Sequence, residues 1–269
     1  MLTLPASLAS PVKHRLRRER DAVLRAAEPD EALASLMGES PLSPSIEEVI
    51  PDGSNRWAIS PQLARFLARA ITGRDLRSVL EFGAGGSSLV LARALSSIGG
   101  GTLTSVEQWP EWCKEPWARV EQTPNVDARL VAAQPRLALS RVGLTYAFRS
   151  ARAAIASRRP YDLVVVDAPP RFYGRDGALP LSYAHLVPGA WVVLDDARRA
   201  AEQWTLFRWL RTYPGLRLMH FDAAFGGRGL AVLRYTGERT QRVDPWSVLT
   251  SALHTYRHWQ GLRRGVRRP

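Results

Sequence analysis

A glycine-rich turn follows the first short apolar run that could form a buried strand. The run Ser78–Phe82 contains an acidic residue next to its last position, and Gly83–Gly85 and Ser87 come directly after it. Glycines permit a tight turn and a close approach of the backbone to a ligand, and a serine can cap the helix that follows. The pattern indicates a turn that binds a nucleotide-like ligand. Gly-x-Gly alone is weak evidence, because the dinucleotide fingerprint has a third Gly or Ala where this chain has Ser88.

A second acidic residue ends the next apolar run. Glu107 closes Leu103–Glu107 and lies about twenty residues beyond the glycine turn, the spacing at which an acid accepts hydrogen bonds from a ribose diol. Each hydrogen bond to a charged group contributes about 1.5–3 kcal/mol. The competing interpretation is that Glu107 caps a Trp-rich helix over Trp109–Trp117. The spacing favours the ribose-binding role.

Three further carboxylates follow two later apolar runs. Asp167 comes at the end of Tyr161–Asp167, and Asp195 and Asp196 come at the end of the run that begins at Ala190. Magnesium prefers oxygen ligands of this kind, so the three residues are a candidate cation site that would bind an acceptor hydroxyl and lower its pKa. Adjacent strand residues point to opposite faces, so Asp195 and Asp196 converge only if the strand ends between them. Otherwise one of them caps the next helix.

The elements that must position these residues alternate along the chain. Strands are predicted at Ser78–Phe82, Leu103–Glu107, Val126–Ala132, Tyr161–Asp167 and Ala190–Asp195, with helices between them. Such alternation is typical of a doubly wound parallel sheet, in which ligands bind beyond the carboxyl ends of the strands. Leu216–Phe221 and Gly229–Tyr235 are joined by a connection too short for a helix, so they must form an antiparallel hairpin. The sequence therefore predicts an α/β, Rossmann-like sheet of seven strands, mostly parallel, with an antiparallel C-terminal hairpin and helical N- and C-terminal extensions.

These motifs resemble those of a known family. Val79–Gly85 followed by Thr104–Glu107 resembles the first two motifs of class I S-adenosylmethionine-dependent methyltransferases, and the terminal hairpin resembles the last two strands of their sheet. The match spans roughly residues 57–236. The resemblance implies methyl transfer from S-adenosylmethionine and a set of cofactor-binding residues, with Glu107 at the ribose and Trp109 stacked on the adenine. The set is Glu81, Gly83, Ala84, Gly85, Ser87, Glu107, Gln108, Trp109, Ala133 and Asp167. For Trp109, packing within a helix face is an equal alternative.

The acidic strand ends resemble those of the catechol O-methyltransferase type of enzyme. That resemblance implies catalytic roles for Asp167 and Asp196 and a metal site, with Mg²⁺ as the candidate ion, formed by Asp167, Asp195 and Asp196. The sequence departs from the pattern in one place, because the family has a basic lysine shortly after the fourth strand and this chain has Pro169–Arg171. Asp167 or a metal-bound hydroxide would then have to act as the base.

The segment after Asp167 resembles a bacterial group of methyltransferases that act on glycans or small molecules. The resemblance implies a substrate loop in which Arg171, Tyr173 and Arg175 bind the acceptor, the aromatic ring by stacking and the arginines through an anionic group. A solvated loop without a binding role is an equal alternative. O-methylation of a small molecule or glycan is the expected reaction.

The sequence divides into three parts. Residues 1–55 are predicted to be a helical extension and linker, residues 56–240 the methyltransferase domain, and residues 241–269 a basic amphipathic helix and tail.

Charge and cysteine content leave two other classes of function open. The net charge is +12, and 35 of the 37 basic residues are arginine. A nucleic-acid methyltransferase and a non-catalytic basic protein that contacts a partner or an anionic membrane surface are therefore alternatives. The single cysteine, Cys113, allows no internal disulfide, and no apolar run is long enough to span a membrane, so a cytoplasmic location is expected.

Overall fold

The structure, a computed structural model, describes residues 6–28, 31–38, 40–55, 57–170 and 173–263. Arg171 of the predicted substrate loop and the arginine-rich tail beyond residue 263 lie outside these ranges.

A seven-stranded sheet forms the centre of the molecule. In chain order the strands are β1 (Ser78–Phe82), β2 (Gly101–Glu107), β3 (Val126–Ala132), β4 (Arg136–Ser140), β5 (Gly143–Ala147), β6 (Tyr161–Val166), β7 (Leu186–Asp195), β8 (Leu216–Asp222) and β9 (Leu230–Tyr235). Seven of them pair in the order β3-β2-β1-β6-β7-β9-β8, and β9 runs antiparallel to both of its neighbours. The predicted fold class is confirmed.

Helices cover both faces of this sheet. They are α1 (Ala6–Arg25), α2 (Glu31–Met37), α3 (Pro44–Glu47), α4 (Pro61–Arg74), α5 (Gly86–Ser97), α6 (Lys114–Glu121), α7 (Arg152–Ser157), α8 (Ala178–Ser182), α9 (Ala200–Thr212) and α10 (Pro245–Arg263). Alternate residues of the central strands enter opposite cores: Val164 and Val166 of β6 pack in one, and Leu163 and Val165 in the other. A parallel strand that is buried on both faces is predominantly apolar, which explains the nearly continuous apolar runs of the sequence.

The sequence prediction was wrong about two elements. The Trp-rich helix does not begin at Trp109: a short 3₁₀ turn covers Pro110–Trp112, and α6 begins at Lys114. A two-stranded antiparallel sheet, β4 with β5, lies between β3 and α7 and had no counterpart in the prediction.

Both terminal helices pack against α9. Leu24 of α1 is buried in the core, and the backbone N–H of Glu28 donates to the carbonyl of Leu218 in β8. At the start of α10, Asp244 accepts hydrogen bonds from the backbone N–H of Ser247 and from Arg211 of α9. Within the described ranges, no helix combines the length and the apolar character needed to cross a membrane.

Candidate active site

The glycine turn lies where the carboxyl ends of three parallel strands meet. Phe82 accepts hydrogen bonds at its carbonyl from the backbone N–H groups of Asp167 and Ala168, and Gly83 donates to the carbonyl of Val106. Gly83 has φ +103°, and a Cβ there would lie 3.1 Å from Cβ of Ala168. Both the backbone conformation and the close approach therefore require glycine at this position.

Packing does not require glycine at position 85. Its φ of 170° is extended backbone, and a Cβ built on it would meet no atom of the described residues within 4 Å. The missing side chain leaves open space beside the turn and directly before α5. Such a cradle fits a ligand that lies against the backbone.

Glu81 is a fully buried carboxyl group with one unpartnered oxygen. Its Oε2 accepts hydrogen bonds from the hydroxyls of Ser88 and Ser105, both at 2.6 Å, whereas Oε1 has no partner among the described residues. Burial raises the pKa of Glu81 to about 7, and the neighbouring serine hydroxyls, including that of Ser87, oppose that rise. A buried acceptor without a donor costs free energy, so it points to a ligand that supplies one.

Glu107 binds the glycine turn through its own carboxylate. Oε2 accepts from the backbone N–H of Ala84 at 3.0 Å, and Oε1 accepts from those of Gln108 and Trp109, both at 2.8 Å. A carboxylate has about four lone-pair sites, so these three bonds orient it and leave acceptor capacity for a ligand hydroxyl. Burial raises the pKa of Glu107, while the three backbone donors oppose that rise.

The ends of β2 and β3 carry the other predicted cofactor-binding residues. Ala133 donates its backbone N–H to the carbonyl of Glu107. Both polar atoms of the buried Gln108 side-chain amide lack a partner in the part of the chain that the structure describes. Trp109 packs on Trp112 with ring centroids 5.3 Å apart, and Trp57 meets the edge of Trp112 at 6.4 Å. The predicted set therefore lies together along one edge of the sheet, with unpartnered polar atoms and aromatic rings beside it.

The three predicted aspartates also converge, as the oxygen atoms of Asp167, Asp195 and Asp196 lie within 4.8 Å of one another. β7 ends at Asp195, and Asp196 has φ +59°, so the backbone turns between the two residues. This left-handed conformation lets two adjacent side chains join one cluster, which an extended strand would not allow.

Arg175 lies inside this cluster. Its Nη2 donates to Asp167 Oδ1 at 2.7 Å and to Asp196 Oδ2 at 2.6 Å, and Nη1 donates to the backbone carbonyl of Asp195. The side chain is 2% exposed, so the guanidinium is removed from water and compensates buried negative charge. Its predicted direct contact with substrate stays a prediction, because its described contacts are with the carboxylates.

Two residues of the α9 region complete the cluster. Arg199 pairs with Asp196 at 2.7 Å, and the buried Glu202 has its Oε1 4.0 Å from Nε of Arg175. Burial raises the pKa of Glu202 to about 7, and Arg175 and Arg199 oppose that rise. Burial likewise raises the pKa of Asp167, with Arg175 as the main opposing influence.

The donor set suits a hard cation, but its arrangement does not fit one. Carboxylate oxygens are the ligands that Mg²⁺ prefers, and Asp195 Oδ2 is buried without a partner. However, Nη2 of Arg175 already bonds both Asp167 and Asp196, so a positive charge stands where a bridging ion would have to bind. We therefore derive no chemical step through a metal ion.

Asp167 is the carboxylate of the cluster that reaches the surface. Its side chain is 21% exposed, whereas those of Asp196 and Glu202 are buried. Tyr173, from the predicted substrate loop, packs edge-on against Tyr146 of β5 with centroids 5.1 Å apart. The hairpin that the sequence prediction lacked therefore supports the loop that follows Asp167.

Sequence reasoning also missed the roles of Tyr146 and Arg199. Alternating Leu137 and Leu139, then Leu144 and Tyr146 across a turn that contains Gly143, form a period-two pattern that could have indicated the hairpin. Arg199 stands three residues after Asp196, a spacing common for ion pairs at the start of a helix.

Comparisons with known proteins agree with this geometry. Residues 80–197 match the family model described as a methyltransferase domain. This segment is a methyltransferase domain. It contains β1, the glycine turn, Glu107 and the whole aspartate cluster up to Ala197, so the family predicted from the sequence is confirmed.

Solved structures show the same fold for the methyltransferase. The O-methyltransferase from Bacillus cereus in complex with SAH has 18% identity and a TM-score of 0.53, with coverage of 73% of this chain and 92% of that one. The cofactor-bound Rv0187 from MTB has 20% identity and a TM-score of 0.50, with coverage of 78% and 91%. No curated protein sequence gives a significant match.

Replacing Arg175 by methionine tests its role as the internal counter-charge. Removing one partner from a buried ion pair leaves uncompensated charge, so we expect Arg175→Met to lower the free energy of unfolding by about 3–5 kcal/mol. Without the guanidinium the native-state pKa values of Asp167 and Glu202 rise further. The loss in stability should therefore grow as the pH increases from about 5 to about 8.

Urea unfolding at several pH values measures both effects. The matched control is Arg15→Met, which removes the exposed Arg15–Glu19 pair and should change stability by less than about 1 kcal/mol. Equal stability of Arg175→Met and wild type at every pH would contradict the assigned role.

Proposed function

We propose that this methyltransferase transfers the methyl group of S-adenosylmethionine to a hydroxyl oxygen of a small-molecule acceptor, with sugars included in that class. The observation that carries the proposal is the position of Asp167 directly beside the glycine turn, where its N–H and that of Ala168 bond the carbonyl of Phe82. A carboxylate at this place can meet an acceptor next to a ligand held by the turn. The likeness to the Bacillus cereus O-methyltransferase structure supports the same reaction class.

The chain's own residues fit the donor. The open space at Gly85 would take the part of S-adenosylmethionine that lies along the turn. Glu81 Oε1 would be an acceptor for the ammonium group of that ligand. Glu107 would accept from the ribose, and the Gln108 amide and the Trp109 ring would lie at the adenine. S-adenosylmethionine supplies a methyl group on a positively charged sulfur. The protein has mainly to align acceptor oxygen, methyl carbon and sulfur.

Asp167 would hold the proton that the acceptor hydroxyl loses. Its Oδ1 is fixed by Arg175, and its partial exposure leaves the carboxylate accessible from the solvent side. The pKa of Asp167 is raised by burial, which brings the carboxylate closer to the basicity that proton abstraction near neutral pH requires. Arg175 and Arg199 keep the neighbouring carboxylates compensated while this proton moves.

Tyr173 and Arg171 remain proposed acceptor-binding residues. The packing of Tyr173 on Tyr146 gives its ring a fixed support, which suits stacking against a sugar or another ring. We keep Asp196 as a positioning residue that holds Arg175 and thereby Asp167. A cytoplasmic location for the reaction remains part of the proposal.

Two alanine substitutions in the turn test the cofactor site. Gly85→Ala would place a methyl group in open space, so we expect wild-type stability with at least about a tenfold loss of affinity for S-adenosylhomocysteine. Gly83→Ala would force a positive φ on alanine and a close contact with Ala168, so it should lower stability by about 1–3 kcal/mol.

Calorimetric titration and urea unfolding separate the two variants. If a folded Gly85→Ala protein bound S-adenosylhomocysteine with unchanged affinity, the space beside the turn would not be the binding site of that ligand.

Replacing Asp167 by asparagine tests the base. The amide keeps an acceptor for Arg175 but cannot take a proton, so turnover should fall by about 10²–10⁴-fold while affinity for S-adenosylhomocysteine stays within about twofold. Wild-type turnover should rise with pH as Asp167 loses its proton, and this dependence should disappear in the variant. Formation of S-adenosylhomocysteine with a panel of phenols and sugars measures turnover.

Glu107→Gln is the matched control for Asp167→Asn. It should weaken cofactor binding and leave turnover at saturating cofactor nearly unchanged. Wild-type turnover in a folded Asp167→Asn protein would contradict the assignment of the base.

A further inference from the structure

α10 has its apolar residues on the outside. The residues that it buries are small and carry hydroxyl groups: Ser247, Thr250, Ser251 and Thr255. Leu249, Leu253 and Tyr256 are exposed and recur at the i, i+4, i+7 spacing of one helix face. A surface helix normally has the reverse arrangement, so this face has the composition of a surface that something else covers.

The inverted arrangement is built into the packing against β5. Thr255 donates its hydroxyl to the carbonyl of Leu144 at 2.6 Å, and Gly143 passes so close to α10 that a Cβ there would clash with the Ser251 hydroxyl. Small and hydroxyl-bearing residues are needed on the inner face because the helix and the strand approach closely. The leucines are therefore left on the outer face.

The hairpin that α10 contacts also carries exposed apolar residues. Leu137, Leu139 and Leu144 of β4 and β5 are exposed, and Leu139 reaches 82% exposure. Leu139 and Leu144 are paired across the hairpin, so their side chains share one face. We call these three leucines, together with Leu249, Leu253 and Tyr256, the apolar surface.

Exposed basic residues lie on both α1 and α10. Trp204 of α9 contacts both His254 of α10 and the guanidinium of Arg20 in α1, so both terminal helices contact this part of α9. On α1, Lys13, Arg15, Arg17 and Arg18 are exposed, and so is Arg257 of α10.

We propose that the apolar surface docks on an anionic lipid bilayer, with the surrounding basic residues at the headgroups. Leucines and an aromatic ring next to arginines are the residues with which interfacial helices bind such membranes. Each basic residue near the surface adds attraction, and the net charge of +12 gives the whole chain the complementary sign.

Two other occupants fit the surface less well. A second copy would bring two chains of +12 together, and their repulsion opposes association. A nucleic acid would satisfy the arginines, but it would leave Leu139 and Leu253 in water, since phosphate contacts make no use of aliphatic side chains. The bilayer satisfies both features of the surface.

Cosedimentation with vesicles tests the proposal. The probes are vesicles of phosphatidylcholine and phosphatidylglycerol in equal parts and vesicles of phosphatidylcholine alone. We expect binding to the first and at least about tenfold weaker binding to the second, with loss at high salt. Leu253→Glu should weaken binding to the anionic vesicles by about tenfold or more, whereas the matched control Leu253→Met should bind like wild type.

A second variant and a measurement of the oligomeric state distinguish membrane binding from association with a second copy. Leu139→Glu tests whether the hairpin contributes to vesicle binding. Far-ultraviolet circular dichroism verifies that each variant is folded. Absence of binding by wild type, or binding that both glutamate variants retain, would overturn the proposal. A dimer in sedimentation velocity that Leu253→Glu dissociates would also overturn it and assign the surface to a second copy. None of these measurements depends on methyl transfer.

Discussion

A guanidinium enclosed by carboxylates holds the candidate active site together. Arg175 bonds Asp167, Asp196 and the carbonyl of Asp195, so it joins the carboxyl ends of β6 and β7 beneath the acceptor side of the site. Four acidic groups in so small a volume, two of them with pKa values that burial raises well above the ordinary range, would repel one another without it. Their convergence is tolerable because a permanent positive charge lies among them.

The second constraint is the close approach of β1 and β6. Gly83 and Ala168 almost touch, so the glycine turn and Asp167 are held at a fixed separation by backbone hydrogen bonds rather than by flexible side chains. Glu107 adds a third anchor through the N–H of Ala84. In this arrangement the proposed donor site and the proposed base belong to one edge of the sheet, which is what alignment of a displacement reaction requires.

The sequence was sufficient to predict the sheet and the residues at its edge. Continuous apolar runs identified β1, β6 and β7, because strands buried on both faces admit few polar residues. The charge balance at this edge of the sheet was not predictable. In the sequence Arg175 has the pattern of an arginine in a solvated loop, and only the fold shows that it lies 2.7 Å from Asp167. The β4–β5 hairpin was missed although its residues alternate as in a strand, because its outer leucines are exposed and not part of a buried core.

The central claim is that Arg175, rather than a metal ion, lies between the aspartates next to a cofactor held by the glycine turn. A crystal structure of the protein grown with S-adenosylhomocysteine and magnesium tests it most directly. The account predicts the cofactor along Gly83–Gly85, its ribose at Glu107, and the guanidinium bonded to Asp167 and Asp196. A magnesium ion bound by those two aspartates with Arg175 displaced, or a cofactor bound elsewhere, would contradict it.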